Sequence, residues 1–300
     1  MKTRLPKSFV FAFLAVACLL AKVSCEAGTL TGNYFINGTL RTGNNSANPG
    51  TNAIAIGINS TASGSNSIAL APFATAAGNY SAALGYNSDA AGIYSLAVGH
   101  TAASNGNYSA ALGYSSQANQ DYSTTIGYVA KTNTPGQGSL AVGDSALATG
   151  NYTSAVGYHA SSSGNYSLAV GYYAKASADN SVAFGSNVTT ASFASLVVGQ
   201  YNTADSGQSS TAWVSSDDLF VVGNGANSTA PSDAFLVEKN GNTGIGTGNA
   251  SLSNTVTVNG TIQFNTTYGN TTLSLDSTGN LTVNRRQGDI KMGPYGNGTD

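Results

Sequence analysis

From residue 53 to residue 199 the chain alternates apolar and small positions in short bursts, and the bursts recur with a fixed period. Eleven copies end on the positions Gly57, Ala71, Gly85, Gly99, Gly113, Gly127, Gly143, Gly157, Gly171, Gly185 and Gly199. Nine of the ten intervals are 14 residues and one is 16. The residue before each marker is apolar, from Ile56 to Val198; the residue two before is Ala in nine copies; the residue four before is Ser in nine copies. In Tyr94-Ser95-Leu96-Ala97-Val98-Gly99, period-two alternation puts Leu96 and Val98 on one face and Ser95, Ala97 and Gly99 on the other. A second glycine follows seven residues after the marker in many copies (Gly64, Gly78, Gly92, Gly106, Gly150, Gly164). Each repeat thus predicts two short strands separated by two glycine-compatible turns. The 16-residue interval contains Thr134-Pro135-Gly136, so its two extra residues are expected to bulge at a turn.

A constant short period means a solenoid, in which each unit buries its face on its neighbours. Fourteen residues at about 3.3 Å each close a flat coil of roughly 46 Å perimeter, and eleven coils stacked at about 4.8 Å make a rod about 50 Å long. Like positions become ladders, in which repeated charges would repel; residues 53–199 hold only six charged side chains. The strand opposite is also built of small residues (Ser88 and Ala90, Ala102 and Ser104, Ala146 and Ala148). So thin a coil can bury only one of its two strand faces. The other is a continuous stripe, and self-association is the economical way to cover it.

Tyrosine forms two further ladders. Tyr86, Tyr114, Tyr128, Tyr158 and Tyr172 follow the marker directly, and Tyr80, Tyr94, Tyr108, Tyr122, Tyr152 and Tyr166 stand nine after it. Cross-coil stacking that stiffens the rod is one reading; a contact surface for a sugar or protein ligand is the other.

The copy Gly164 to Gly171 (GNYSLAVG) and the run Asn180-Ser181-Val182-Ala183-Phe184-Gly185, repeated at 14 residues, resemble the YadA-like head of trimeric autotransporter adhesins. The resemblance covers about half the chain. It implies an all-β, left-handed parallel β-roll of about eleven coils, a side-by-side homotrimer, and adhesion to an extracellular matrix protein or surface glycan. Head repeats of the form Asn-Ser-Val-Ala-Ile-Gly are implicated in matrix binding in that family. Asn180, Ser181 and Val182 begin a match with Phe184 replacing Ile, and residues 66–71 match more loosely with Ala71 replacing Gly. The chain shows neither a heptad stalk nor C-terminal membrane-anchor strands. The candidate ligand-binding residues are Tyr80, Tyr94, Tyr108, Tyr122, Tyr152, Tyr166, Asn180, Ser181 and Val182.

The flanking segments read differently. Lys2, Arg4 and Lys7 precede a 12-residue apolar run at 9–20 and the small residues Val23-Ser24-Cys25, which is a secretory signal over 1–25, too short to span a bilayer. The rival is a lipoprotein signal with Cys18 lipidated. Cleavage after Cys25 removes both cysteines, and with them any disulfide or thiolate site. It also removes four of the eleven basic residues, leaving 7 against 13 acidic groups, the wrong sign for a nucleic-acid partner. No later apolar stretch reaches membrane-span length. Residues 26–52 form a lead-in, 53–199 the repeats, 200–248 a transition, and 249–300 a β-rich tail with hairpin signals at Asn259-Gly260 and Gly279-Asn280. The last two segments look like those that follow such heads in bacterial surface and phage tail-fibre-like proteins.

Charged residues make up 8% of the chain, against about 25% in ordinary domains, and Gly numbers 37 of 300, which suits a repetitive structural protein better than an enzyme. His100 and His159 lack partners at metal spacing, and Gly244-Ile245-Gly246-Thr247-Gly248 lacks the lysine of a phosphate loop. No cofactor is expected. Fifteen Asn-X-Ser/Thr sequons occur; Asn79, Asn107, Asn151 and Asn165 are one repeat position and the candidate glycosylation sites if the protein is a eukaryotic secreted one, compositional accident being the reading for a bacterial one. The sequence therefore points to a secreted or cell-surface adhesin head, with a structural fibre or coat protein lacking a specific ligand as the alternative. Ice binding is the weakest reading, because it favours regular threonine ladders.

Overall fold

The computed structural model describes residues 50–133, 136–204 and 206–246, together with the strand course of Tyr34–Ile36, Thr39–Thr42, Val256–Val258, Ile262–Thr266, Gly269–Leu275 and Leu281–Arg285. The expected signal at 1–25 and the inserted Thr134 and Pro135 lie outside the described residues. Those described contain strands and turns and no helix.

The repeats form a two-sided parallel solenoid. Eleven longer strands, from Ile54–Ile56 to Leu196–Gln200, stack in one sheet; ten two-residue strands, from Thr61–Ala62 to Thr189–Thr190, stack in the other. Ten turns are thus closed, one fewer than the count of markers. Every long strand pairs in register with the next copy, as in Leu96↔Ala110 and Ala97↔Ala111. The 16-residue coil keeps this register on both sheets, with Ile126↔Val142 and Lys131↔Leu147, so the change of offset from 14 to 16 falls between Thr132 and Leu140.

Of the two strand faces, the small one is inside. Ala69, Ala83, Ala97 and Ala111 of the long strands meet Ala76, Ala90, Ser104 and Ala118 of the short ones, all fully buried. The recurrent serine is interior as well. Ser67, Ser109 and Ser167 each donate a hydroxyl at 2.6 Å to the carbonyl three residues back, satisfying an acceptor that a coil only two side chains thick leaves without water. The larger apolar residues, such as Ile56, Ile68, Ile126, Phe184 and Leu196, point outward and remain exposed.

The two glycine positions serve different purposes. Marker glycines have φ between 103° and 145°, a region that favours Gly, and Ala71 holds φ 120° in the same place. The second glycine is there for space: a Cβ at Gly78 or Gly92 would lie 1.9 Å from the carbonyl oxygen of the next coil. Gln120 occupies this second position where the following coil carries the two extra residues, and its amide donates to the Asn133 carbonyl. The bulkier side chain and the longer coil therefore occur together.

The sheet runs past the repeats at both ends. Thr39–Thr42 pairs parallel with Ile54–Ile56, Leu40 opposite Ile54, so a further strand at the same 14-residue offset precedes residue 53. Asp218–Asn224 pairs parallel with Leu196–Gln200, and Asp233–Glu238 and Thr243–Ile245 add antiparallel strands. The segment before Asp218 closes the open end, with Ser209 and Ser210 carbonyls accepting from Phe193 and Asp179. Lys239 locks this closure. Its Nζ donates to Ser192 Oγ at 2.7 Å, lies 3.8 Å from Asp217 Oδ2 and sits over the Trp213 ring at 5.2 Å. Burial lowers the Lys239 pKa from its ordinary value, opposed by Asp217 and Asp218. In the tail, Gly269–Leu275 pairs antiparallel with Ile262–Thr266 and with Leu281–Arg285. Val256–Val258 pairs in parallel with Thr243–Ile245, and the expected hairpin turns at Asn259-Gly260 and Gly279-Asn280 lie outside the described residues. The side chains of the tail lie outside the described residues.

Candidate functional site

Two corners of the coil carry the side chains that a partner would meet. At the corner nine residues after each marker, the backbone is left-handed, with φ between 52° and 58° at Tyr80, Tyr94, Tyr108, Tyr122, Tyr152, Tyr166 and Asn180. Tyrosine is an uncommon residue in that conformation, and the neighbouring coil compensates. Tyr80, Tyr94, Tyr108 and Tyr122 form one stack with centroid spacings of 4.7, 5.1 and 5.2 Å. Tyr152 and Tyr166 form a second at 5.5 Å. Between the two stacks stands Gly138, where a Cβ would lie 2.7 Å from the Tyr152 ring. Ring faces within a stack cover one another, so the column offers edges and hydroxyls to solvent, and faces only at its breaks. Tyr122 and Tyr166, at such breaks, are the most exposed of the column at 63% and 62%.

An asparagine stands beside four of the six tyrosines, with Ile93 and Asp121 beside Tyr94 and Tyr122. Asn79 Oδ1 accepts from Ser65 N–H, Asn107 Oδ1 from Ile93 N–H, and Asn165 Oδ1 from Asn151 N–H, each 14 residues away at 2.9–3.0 Å. The Asn151 and Asn165 carboxamide nitrogens donate onward to Asn165 and Asp179. The hydroxyl residues of these four sequons, Ser81, Ser109, Thr153 and Ser167, are buried inside the coil.

The three residues of the Asn-Ser-Val motif do not share a surface. Asn180 is exposed at the tyrosine corner and Val182 lies half-buried on the outer long face. Ser181 is fully buried, with its hydroxyl bonded to the Ala178 carbonyl and Thr190 Oγ1, so its place as a contact residue is corrected to an interior one. The position four before the marker is buried in every copy, on the same face as the residue two before it.

The opposite corner, directly after the marker, holds Tyr86, His100, Tyr114 and Tyr128 stacked at 5.1 Å, then Asp144, then Tyr158 and Tyr172 at 5.2 Å. His100 is thus a rung of the column, while His159 stacks on Tyr173 at 4.8 Å one position on. Desolvation raises the Tyr173 pKa above 10.0, with further contributions from Tyr158 and Asp144. Among the described residues no three His, Cys, Asp or Glu side chains converge to hold a metal ion, and no helix is long and apolar enough to cross a membrane.

A parallel β-solenoid with small residues inside, laddered aromatic corners and an apolar outer sheet defines a rod-like β-roll class of protein. Residues 49–70, 72–88, 76–102, 90–116, 104–130, 135–160 and 162–187 match the YadA head domain repeat family. This part of the chain is a YadA-type head, and the family is one of trimeric, adhesin-like heads that are typically non-enzymatic. No curated protein matches the chain.

Proposed function

We propose that the protein is a secreted or cell-surface adhesin head, a trimeric rod that binds an extracellular matrix protein or a surface glycan. The observation that carries the assembly is the outer long face, where Ile56, Ile68, Ile126, Phe184 and Leu196 stay exposed in the single chain while the interior is filled by Ala and Ser. An apolar stripe of about 50 Å is the kind of surface that a second and third copy cover. The laddered Tyr and Asn corner, with Asn180 continuing it, is the contact surface in this reading. Asn79, Asn107, Asn151 and Asn165 on the same corner are the glycan acceptors in a eukaryotic host. The mutual stacking of the tyrosine faces favours the second reading, a structural fibre, since rings that cover one another serve stiffness first.

Light scattering on the secreted, deglycosylated chain tests the assembly. A mass of three chains supports it and a monomer refutes it. Saturable binding to immobilised matrix proteins or to a glycan array, lost on replacing Tyr122 and Tyr166 by Ala, separates adhesin from fibre. Absence of saturable binding across both panels leaves the fibre reading.

A further inference from the structure

The column after the marker is an aromatic ladder with one rung removed. Tyr114 and Tyr128 are parallel within 10° and Tyr158 and Tyr172 within 8°, so the rings of both halves lie face-on along the stack. In-register pairing of Ile126 with Val142 and of Val142 with Val156 puts Asp144 on the rung between Tyr128 and Tyr158. Those two rings are therefore two strand spacings apart, about 9.7 Å. Tyr128 is the most exposed tyrosine of its column at 55%, as expected for one that has lost cover on a face. Tyr158 is less exposed because His159 and Tyr173 pack edge-on against it at 4.4 and 5.6 Å.

Asp144 is exposed and forms no ion pair among the described residues. Ser145 Oγ donates to its Oδ1 at 2.6 Å, and its own carbonyl accepts from His159 N–H at 2.9 Å, which fixes the backbone of the rung. A gap of two stacking distances, floored by a carboxylate, calls for a flat cation. A guanidinium is planar, stacks on aromatic faces and meets a carboxylate through paired N–H donors; an ammonium does the last as a point charge only.

We infer that the slot Tyr128–Asp144–Tyr158 is a binding site for an arginine side chain presented by a partner protein, which takes the place of the missing ring. The site lies on one rung of one chain and stands whether the rod is an adhesin or a fibre.

The test is a titration of the secreted protein, with isotope-labelled tyrosine rings, by N-acetyl-arginine methylamide and by its lysine and citrulline counterparts, followed by NMR. Ring signals of Tyr128 and Tyr158 shift with the arginine compound, less with lysine, and not with uncharged citrulline. Asp144→Asn, which keeps the shape, weakens the arginine response about tenfold, the scale of a charge-assisted contact. Asp144→Tyr restores the ladder; it keeps the fold and abolishes the response. Equal shifts with citrulline or lysine, an undiminished response in either variant, or no shift at all overturns the inference.

Discussion

Replacing Gly92 by Ala sets two effects against each other. Gly92 lies outside the left-handed region, so loss of chain entropy in the unfolded state alone would make Gly92→Ala stabilising by about 0.4–1 kcal/mol. The structure demands the opposite sign. The new Cβ would meet the Gly106 carbonyl oxygen at 1.9 Å and its carbon at 2.5 Å, both backbone atoms. Relief requires the coils to part at this corner. Three hydrogen bonds cross the opening: Gly92 N–H to Ser104 O at 3.2 Å, Ile93 N–H to Asn107 Oδ1 at 3.0 Å, and Tyr108 N–H to Ile93 O at 2.8 Å. At about 1 kcal/mol each, with about 1 kcal/mol for the weakened Tyr94–Tyr108 stack and less than 1 kcal/mol returned by entropy, the net loss is about 3 kcal/mol. Urea midpoints by circular dichroism, at equal protomer concentration, measure the difference. Hydrogen exchange locates it at residues 92–94 and 104–108. A Gly92→Ala variant as stable as the parent would refute the close-approach explanation of the second glycine.

Three other perturbations test separate parts of the rod. Tyr108→Ala removes two ring stacks and is expected to cost about 1–3 kcal/mol, whereas Tyr108→Asn costs less because Asn tolerates the left-handed backbone; urea midpoints of both variants decide it. Burial raises the Asp89 pKa above 3.8, so between 3.8 and the folded value the native state holds more protons. Stability therefore falls as pH rises through that window. Asp89→Asn flattens that part of the profile of urea midpoint against pH, and an unchanged slope would contradict the assignment. Lys239→Met strips Asp217 of its cationic partner under the end closure, leaving only the Ser209 N–H, and is expected to cost about 3 kcal/mol, with loss of exchange protection confined to residues near 193 and 209–217; uniform loss along the rod would speak against a local lock.

The repeat was readable because a solenoid imposes one rule on every coil: Ala two before the marker and Ser four before it are small because the interior is only two side chains thick. The choice of buried face follows from that same thinness, yet alternation alone leaves it open, since Leu96 and Ala97 are each plausible interior residues. The role of the second glycine was not readable either, because a requirement for space and one for positive φ leave the same letter in the sequence. Of the exceptions at Gln120, Ala178 and Ser192, the bulkiest, Gln120, becomes intelligible only beside the longer following coil. The strand Thr39–Thr42 did leave a signal, Gly43 and Gly50 at the repeat offsets, hidden by its Leu-Arg-Thr where other copies have small and apolar residues. The vacant rung at Asp144 shows in the tyrosine spacing, but its meaning depends on the rings facing along the stack, which no spacing reveals.

The strands lie across the rod, and the hydrogen bonds between coils, such as Leu96 N–H to Ser109 O at 2.9 Å, run along it. A pull on the two ends therefore loads these bonds in tension, coil by coil, rather than shearing many at once. Each coil that gives way releases 14 residues, about 49 Å of extended chain, while its neighbours stay intact. Under traction the rod behaves as a row of fuses in series, each giving way while the remainder still holds.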